Sequence, residues 1–176
     1  MSGPVRSVEI MTPAEILTDA FTRVRDSAAE VLDGLDPEQL AHRPTPDANP
    51  IGWLLWHLAR VQDDHVADVA GTEQAYTALG FVERFALPYD AAAIGYGQSS
   101  DEVGAGSWDA ALLLDYLDAV QARTLAYLET LGADDLDRVV DDRWDPPVTL
   151  GARLVSVVND DTQHVGQAAY VRGLLG

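Results

Sequence analysis

Asp160 and His164 stand one helical turn apart in the segment Asn159-Asp160-Asp161-Thr162-Gln163-His164-Val165-Gly166-Gln167. Spacing of i and i+4 sends both side chains out of one face of a helix. His57 lies in the other strongly apolar stretch, Ile51-Gly52-Trp53-Leu54-Leu55-Trp56-His57-Leu58-Ala59-Arg60. Imidazole nitrogens and carboxylate oxygens projecting from facing helices are the usual means by which a helical bundle holds zinc, iron or nickel with a coordination position left open. His57, Asp160 and His164 therefore form a candidate metal site, provided the two helices face each other. A buried Asp-His hydrogen bond accounts for the same spacing and stays open as a structural alternative. Asp161 is a rival ligand, because i, i+3 spacing to His164 also reaches one face. With one such motif and no second set of carboxylates beside His57, a dinuclear centre is not expected.

The remaining candidates read as structural. His42, in Ala41-His42-Arg43-Pro44, is expected on the surface. His65 shares a helix face with His57 but sits two turns further on, about 12 Å along the axis, too far to share one ion. Trp53, Trp56, Trp108 and Trp144 are expected as core and interface aromatics.

The elements that must position the site are helices. Thr12-Pro13-Ala14-Glu15 starts the first with an N-cap threonine, a proline at the first helical position and a capping-box glutamate. Ile16, Leu17, Ala20, Phe21, Val24, Ala28, Val31 and Leu32 recur near a 3.6-residue period, and Gly34 stops the helix. A connector over residues 36–47 leads to Asn49-Pro50, which repeats the cap-plus-proline signal for a second helix running to about Ala70. Its first half is apolar nearly all round, so it belongs against the core. Between Gly71 and Gly106 the pattern breaks, apart from a short helix over residues 72–79, and its glycines, prolines and tyrosines suggest an ordered loop. Ser107-Trp108-Asp109-Ala110 caps a third helix reaching Gly132. A second connector with Trp144-Asp145-Pro146-Pro147 precedes a fourth helix from about Thr149 to Leu174. Strand signals are weak. The reading is an all-α four-helix bundle, one domain over residues 1–176, with a long crossover loop.

Composition narrows the chemistry. A hydrophobic fraction of 47% over 176 residues suits one full core. Net charge is −18 and every basic residue besides histidine is an arginine. Such a surface repels nucleic acid and anionic lipid, so neither is expected as a partner. There is no cysteine, so any thiol chemistry must use a thiol from outside the protein. Met1-Ser2-Gly3-Pro4-Val5-Arg6 lacks the apolar core of a signal peptide, and no apolar run is long enough to span a bilayer, which gives a cytoplasmic expectation.

Taken together, Gly-Trp-Leu-Leu-Trp-His-Leu-Ala-Arg-Val within residues 49–64 and Asp-Asp-Thr-Gln-His-Val-Gly-Gln at residues 160–167 resemble the two signature helices of the DinB-like superfamily. The sequence is most similar to the actinobacterial branch that contains mycothiol-dependent maleylpyruvate isomerase and the mycothiol S-transferases. That resemblance implies an up-down-down-up bundle with a divalent metal, zinc first and nickel or iron as alternatives, held by His57, Asp160 and His164. Aspartate stands where the superfamily commonly has histidine and the thiol-dependent branch glutamate; being shorter than glutamate, it either draws the ion toward the fourth helix or binds it through water. The isomerase carries an additional C-terminal domain, so the expectation shifts to the transferases.

The function expected is a metal-dependent S-transferase joining a low-molecular-weight thiol, mycothiol first, to an electrophilic small molecule, with a homodimer compatible. Arg60, Arg153 and Tyr170 are candidates to orient the thiol. The loop over residues 71–106 and the connector over 144–147 are expected to shape the pocket. A non-catalytic metal-binding stress-response bundle and a metal-dependent hydrolase are the alternatives.

Overall fold

The structure, a computed structural model, describes residues 11–176; the expectation about Met1 to Arg6 lies outside them. Eight helices follow in order: α1 Pro13–Leu32, α2 Pro37–Leu40, α3 Ile51–Ala70, α4 Ala75–Ala78, α5 Phe81–Phe85, α6 Ser100–Gly104, α7 Ala110–Leu128 and α8 Leu150–Gly173. The four long ones, α1, α3, α7 and α8, form the bundle that the apolar periodicity predicts.

Local signals at the helix ends act largely as read. Thr12 Oγ1 accepts from the Glu15 backbone N–H at 3.2 Å while the Thr12 N–H donates to Glu15 Oε2 at 2.6 Å, the two halves of a capping box. Thr149 and Asp109 cap α8 and α7 through their side chains. The start of α3 differs: Pro50 itself is the N-cap residue and no side chain caps the helix, so Asn49 does not play the part its type suggested. Gly71 closes α3 in the left-handed region at φ 67°, where a side chain would be strained.

In the bundle, α3 packs on α7 and α8, and α1 packs on the same two helices from the other side. One core cluster joins the end of α1 to the starts of α3 and α7 and the end of α8; a second joins Leu17 and Phe21 of α1 to Val66, Leu128, Leu150 and Leu154. That pairing of ends makes α1 and α8 run one way and α3 and α7 the other, an up-down-down-up order. Residues 51 to 63 are all buried, because α3 is enclosed by α7, α8 and the crossover segment. Helices with no polar stripe need such a central place.

The crossover between α3 and α7 is more helical than its pattern indicated, since it contains α4, α5 and α6 and only the first lies within the residues expected to be helical. Short helices of four or five residues are too brief to leave a period. Two buried charges of α3 anchor this segment. Asp63 accepts from the backbone N–H groups of Ala75 and Tyr76, each at 2.8 Å, and from the Tyr116 hydroxyl at 2.9 Å. Arg60 donates to Gln74 Oε1 at 2.8 Å and to the Ala93 carbonyl at 3.2 Å. Buried charges hold together only when paired and hydrogen-bonded in this way. Between α7 and α8, Val139–Asp141 and Val148–Thr149 pair as a two-stranded antiparallel hairpin, β1 and β2, too short to have shown an alternating pattern. Among the described residues no helix is long and apolar enough to cross a membrane.

Candidate metal centre

Because α3 and α8 run antiparallel in contact, the predicted residues meet. His57, Asp160 and His164 each offer a ligand atom, and these atoms all lie within 4.8 Å of one another. Asp160 Oδ2 is 4.0 Å from His57 Nε2 and 3.4 Å from His164 Nδ1, and the two imidazoles approach edge to face at 4.6 Å. Donor atoms about 2.0–2.2 Å from a tetrahedral zinc stand about 3.4 Å apart, so small side-chain rotations close the cluster on an ion.

Two further observations fit this donor set to a divalent cation. Asp160 Oδ2 is buried without a hydrogen-bond partner, an arrangement that costs stability unless a cation or donor answers it. His57 Nδ1 faces the Ile94 carbonyl, so its N–H donates there and the Nε2 lone pair is left facing Asp160. His164 Nδ1 lies 2.9 Å from the backbone carbonyl of Asp160, one turn back; when it donates there, Nε2 is the ring nitrogen left free for an ion. Burial lowers the pKa of His57 below the ordinary imidazole value, the neighbouring His164 adding to this against the opposing effects of Ile94 and Asp160. Neutral imidazole is the form that binds metal.

The loop between α5 and α6 completes the surroundings. Gly95 takes φ 104°, and a Cβ there would collide with His57 Nδ1 and stand 3.0 Å from Trp53. Glycine thus permits both the left-handed turn and the close approach that brings the Ile94 carbonyl onto the imidazole. Trp53 stacks on His57 with centroids 4.7 Å apart and planes 12° apart, and its indole N–H donates to Gln98 Oε1 at 2.7 Å. Tyr96 stands edge-on to His57 at 5.3 Å with its phenol toward Asp160 and Asp161; partial burial first, then those carboxylates, raises its pKa and keeps the hydroxyl protonated. Gly95→Ala is expected to lower metal affinity by about 10- to 100-fold, the range for loss of an outer support to a ligating histidine. Isothermal titration with zinc checks this, and a circular-dichroism spectrum like that of the parent shows that the helices persist.

The structure sorts the other candidates. Asp161 is not in the cluster: it lies on the interior face of α8 with Leu154, Val157 and Val165, fully buried, and neither of its oxygens has a hydrogen-bond partner. Burial, then the charge of Asp160, raises its pKa well above the usual carboxyl range. His65 receives a hydrogen bond at Nδ1 from Arg153 at 2.9 Å and is separate from the triad. His42 is exposed. Arg60 is fully buried and structural, so it cannot orient a thiol. Of the four tryptophans, Trp56 and Trp108 are core residues, Trp53 belongs to the site, and Trp144 is 66% exposed on the hairpin beside the first turns of α8, away from Asp160 and His164. The 71–106 loop therefore shapes the site, and the 144–147 connector does not. Trp53 and His57 have the same i, i+4 spacing as Asp160 and His164, a signal for the stacked pair that was present in the sequence.

The architecture and the cluster define a four-helix bundle with a His/Asp/His group that could hold a metal ion between its second and fourth long helices. The DinB superfamily model matches residues 20–168, and the chain belongs to that superfamily. The crystal structure of a conserved protein from Enterococcus faecalis is similar, with a TM-score of 0.87 and 29% sequence identity over 93% of this chain and 96% of that one. No curated protein sequence matches the chain.

Proposed function

We propose that this protein is a metal-dependent thiol S-transferase, with His57, Asp160 and His164 as the metal ligands. The observation that carries the reading is a ligand set of three on the rim of the α3–α8 groove, two of its members partly exposed, so that a small molecule can reach a fourth position. A divalent ion, zinc first and nickel or iron as alternatives, supplies the positive charge that lowers the pKa of a thiol brought to it. The absence of cysteine from the chain agrees with a nucleophile that arrives as a cosubstrate. Mycothiol is the thiol that the sequence resemblance favours.

In the reaction proposed, the thiol releases its proton, its sulfur forms a bond to the electrophilic carbon, and the leaving group departs with the electron pair of the broken bond. His57 and His164 contribute neutral donors, and Asp160 contributes the one negative charge of the set. Trp53 and Gly95 close the far side of His57 to water. Tyr96, with its hydroxyl toward Asp160, presents a hydrogen-bond donor at the open side.

With metal fully loaded, thiol consumption across a panel of alkyl and aryl electrophiles is expected to exceed the uncatalysed rate and to require both metal and thiol. His57→Ala is expected to return it to background. Consumption at the background rate for every electrophile would remove the transferase reading.

A further inference from the structure

Three residues on one stripe of α3, spaced i, i+4 and i+7, meet the crossover loop in turn. The Trp53 indole N–H donates to Gln98 Oε1 at 2.7 Å, the His57 Nδ1–H donates to the Ile94 carbonyl, and Arg60 Nε donates to the Ala93 carbonyl at 3.2 Å. Residues 93–98 therefore run antiparallel to the helix. Only the middle contact touches a candidate metal ligand.

That contact fixes a tautomer. A neutral imidazole can carry its proton on either nitrogen, and the Ile94 carbonyl holds it on Nδ1, so that the Nε2 lone pair is left facing Asp160. The direction of this carbonyl is not set by the residues after it, because Gly95 and Gly97 both lie at positive φ and leave the backbone permissive there. On the other side, the peptide joining Ala93 to Ile94 is a rigid plane, and only φ and ψ of Ile94 separate it from the plane that carries the Ile94 carbonyl. Fixing the Ala93 carbonyl limits where its neighbour can point.

Arg60 is itself held from several directions. It is fully buried, 3.6 Å from the carboxylate of Asp63, and its Nη1 donates to Gln74 Oε1 at 2.8 Å and to the Tyr116 hydroxyl at 3.3 Å. The guanidinium carbon stands 4.3 Å from the centre of the Tyr76 ring. A planar fork so enclosed offers its Nε–H in one direction only, and the Ala93 carbonyl is what it meets there.

We infer that Arg60 is a positioning residue of the metal centre: through the Ala93 carbonyl it keeps the Ile94 carbonyl on His57 Nδ1, and so keeps Nε2 free for the ion. The inference rests on His57 being a ligand, as in the reading above, and the two are separated by reading the tautomer without metal. Nitrogen-15 NMR of labelled histidine in metal-free protein reports which imidazole nitrogen carries the proton, and calorimetric titration with zinc reports affinity. Arg60→Lys keeps a positive charge beside Asp63 but loses the fork. Arg60→Met combined with Asp63→Asn removes both charges, so that neither is left buried alone should the lysine variant not fold.

In each variant His57 is expected to shift from the Nδ1–H form toward a mixture of tautomers, and zinc affinity is expected to fall about 10- to 100-fold. Leu17→Ala, in the core cluster around Phe21, is the comparator for simple loss of packing: its thermal midpoint should drop while both readouts stay like those of the parent. An unchanged tautomer in the folded Arg60 variants, or a shifted tautomer with zinc affinity like that of the parent, overturns the positioning role. If the parent takes up no zinc, the metal reading falls by itself. The tautomer then decides alone: a shift in the variants supports the role of Arg60 toward His57, and no shift overturns it.

Discussion

His164→Gln is expected to abolish tight metal binding while the bundle remains folded. Glutamine keeps most of the side-chain volume and a hydrogen-bonding group at a position that is only partly buried, so the packing of α8 on α3 changes little. Loss of a ligand removes a donor outright, and an effect above about 100-fold on affinity is expected, since even supports to a ligand are worth 10- to 100-fold. Metal content after dialysis and the thermal midpoint of metal-free protein are the paired measurements. A histidine with a purely structural role would show the opposite pattern, a lower midpoint and no change in metal content. Retention should also fall with pH, because protons compete for the imidazole nitrogens. For His57 the direction is definite: its folded pKa lies below the ordinary value of 6.5, so in the metal-free protein its contribution to stability is full above that value. It is lost as pH falls below 6.5, because protonation then favours the unfolded chain.

Asp161→Asn is expected to stabilise the metal-free protein at neutral pH, because asparagine is spared the cost of ionising, or of holding a proton above the ordinary carboxyl range, inside the core. The carboxyl is fully buried, has no hydrogen-bond partner, and is held well above its usual pKa by burial first and by Asp160 second. An acid whose folded pKa is raised stabilises fully only below its unfolded value, here 3.8, and loses that contribution as pH rises. Asparagine has no proton to lose, so the advantage of the variant should be smallest near pH 4 and grow toward neutrality. Urea unfolding at several pH values reads this out. Metal affinity should stay close to that of the parent, in contrast to Asp160→Asn, which removes the only charged ligand of the cluster. Equal losses of metal from the two variants would place Asp161 in the coordination set after all.

Much of the architecture was legible because it depends on local rules. The 3.6-residue period of α1 and α7, the Thr12–Glu15 capping box and the all-round apolar character of α3 each follow from backbone hydrogen bonding and the need to bury apolar surface. The Asp160–His164 pair was legible for a similar reason, since i, i+4 spacing places the two side by side whatever the rest of the chain does, whereas His57 joins them only through the packing of α3 on α8. What α4 to α6 and the β1–β2 hairpin have in common is brevity: they are stabilised by contacts such as Asp63 to the N–H groups of Ala75 and Tyr76, not by a pattern of their own.

Sequence by itself thus determined the helical class, the family-like pair of signature helices and the candidate ligands that the fold brings together. Tertiary structure alone decided which neighbours those residues meet. Asp160 and Asp161 are identical in type and adjacent in sequence, yet the 100° step between them sends one toward His57 and the other into the core. Arg60, Arg153 and Tyr170 could not be ranked until packing showed the two guanidiniums engaged and the phenol free. The close fit of Gly95 against His57 is likewise invisible to any local rule, because the two residues are brought together only when the crossover loop folds back over α3. Periodicity reports which side of a helix is apolar, but long-range packing decides what that side touches.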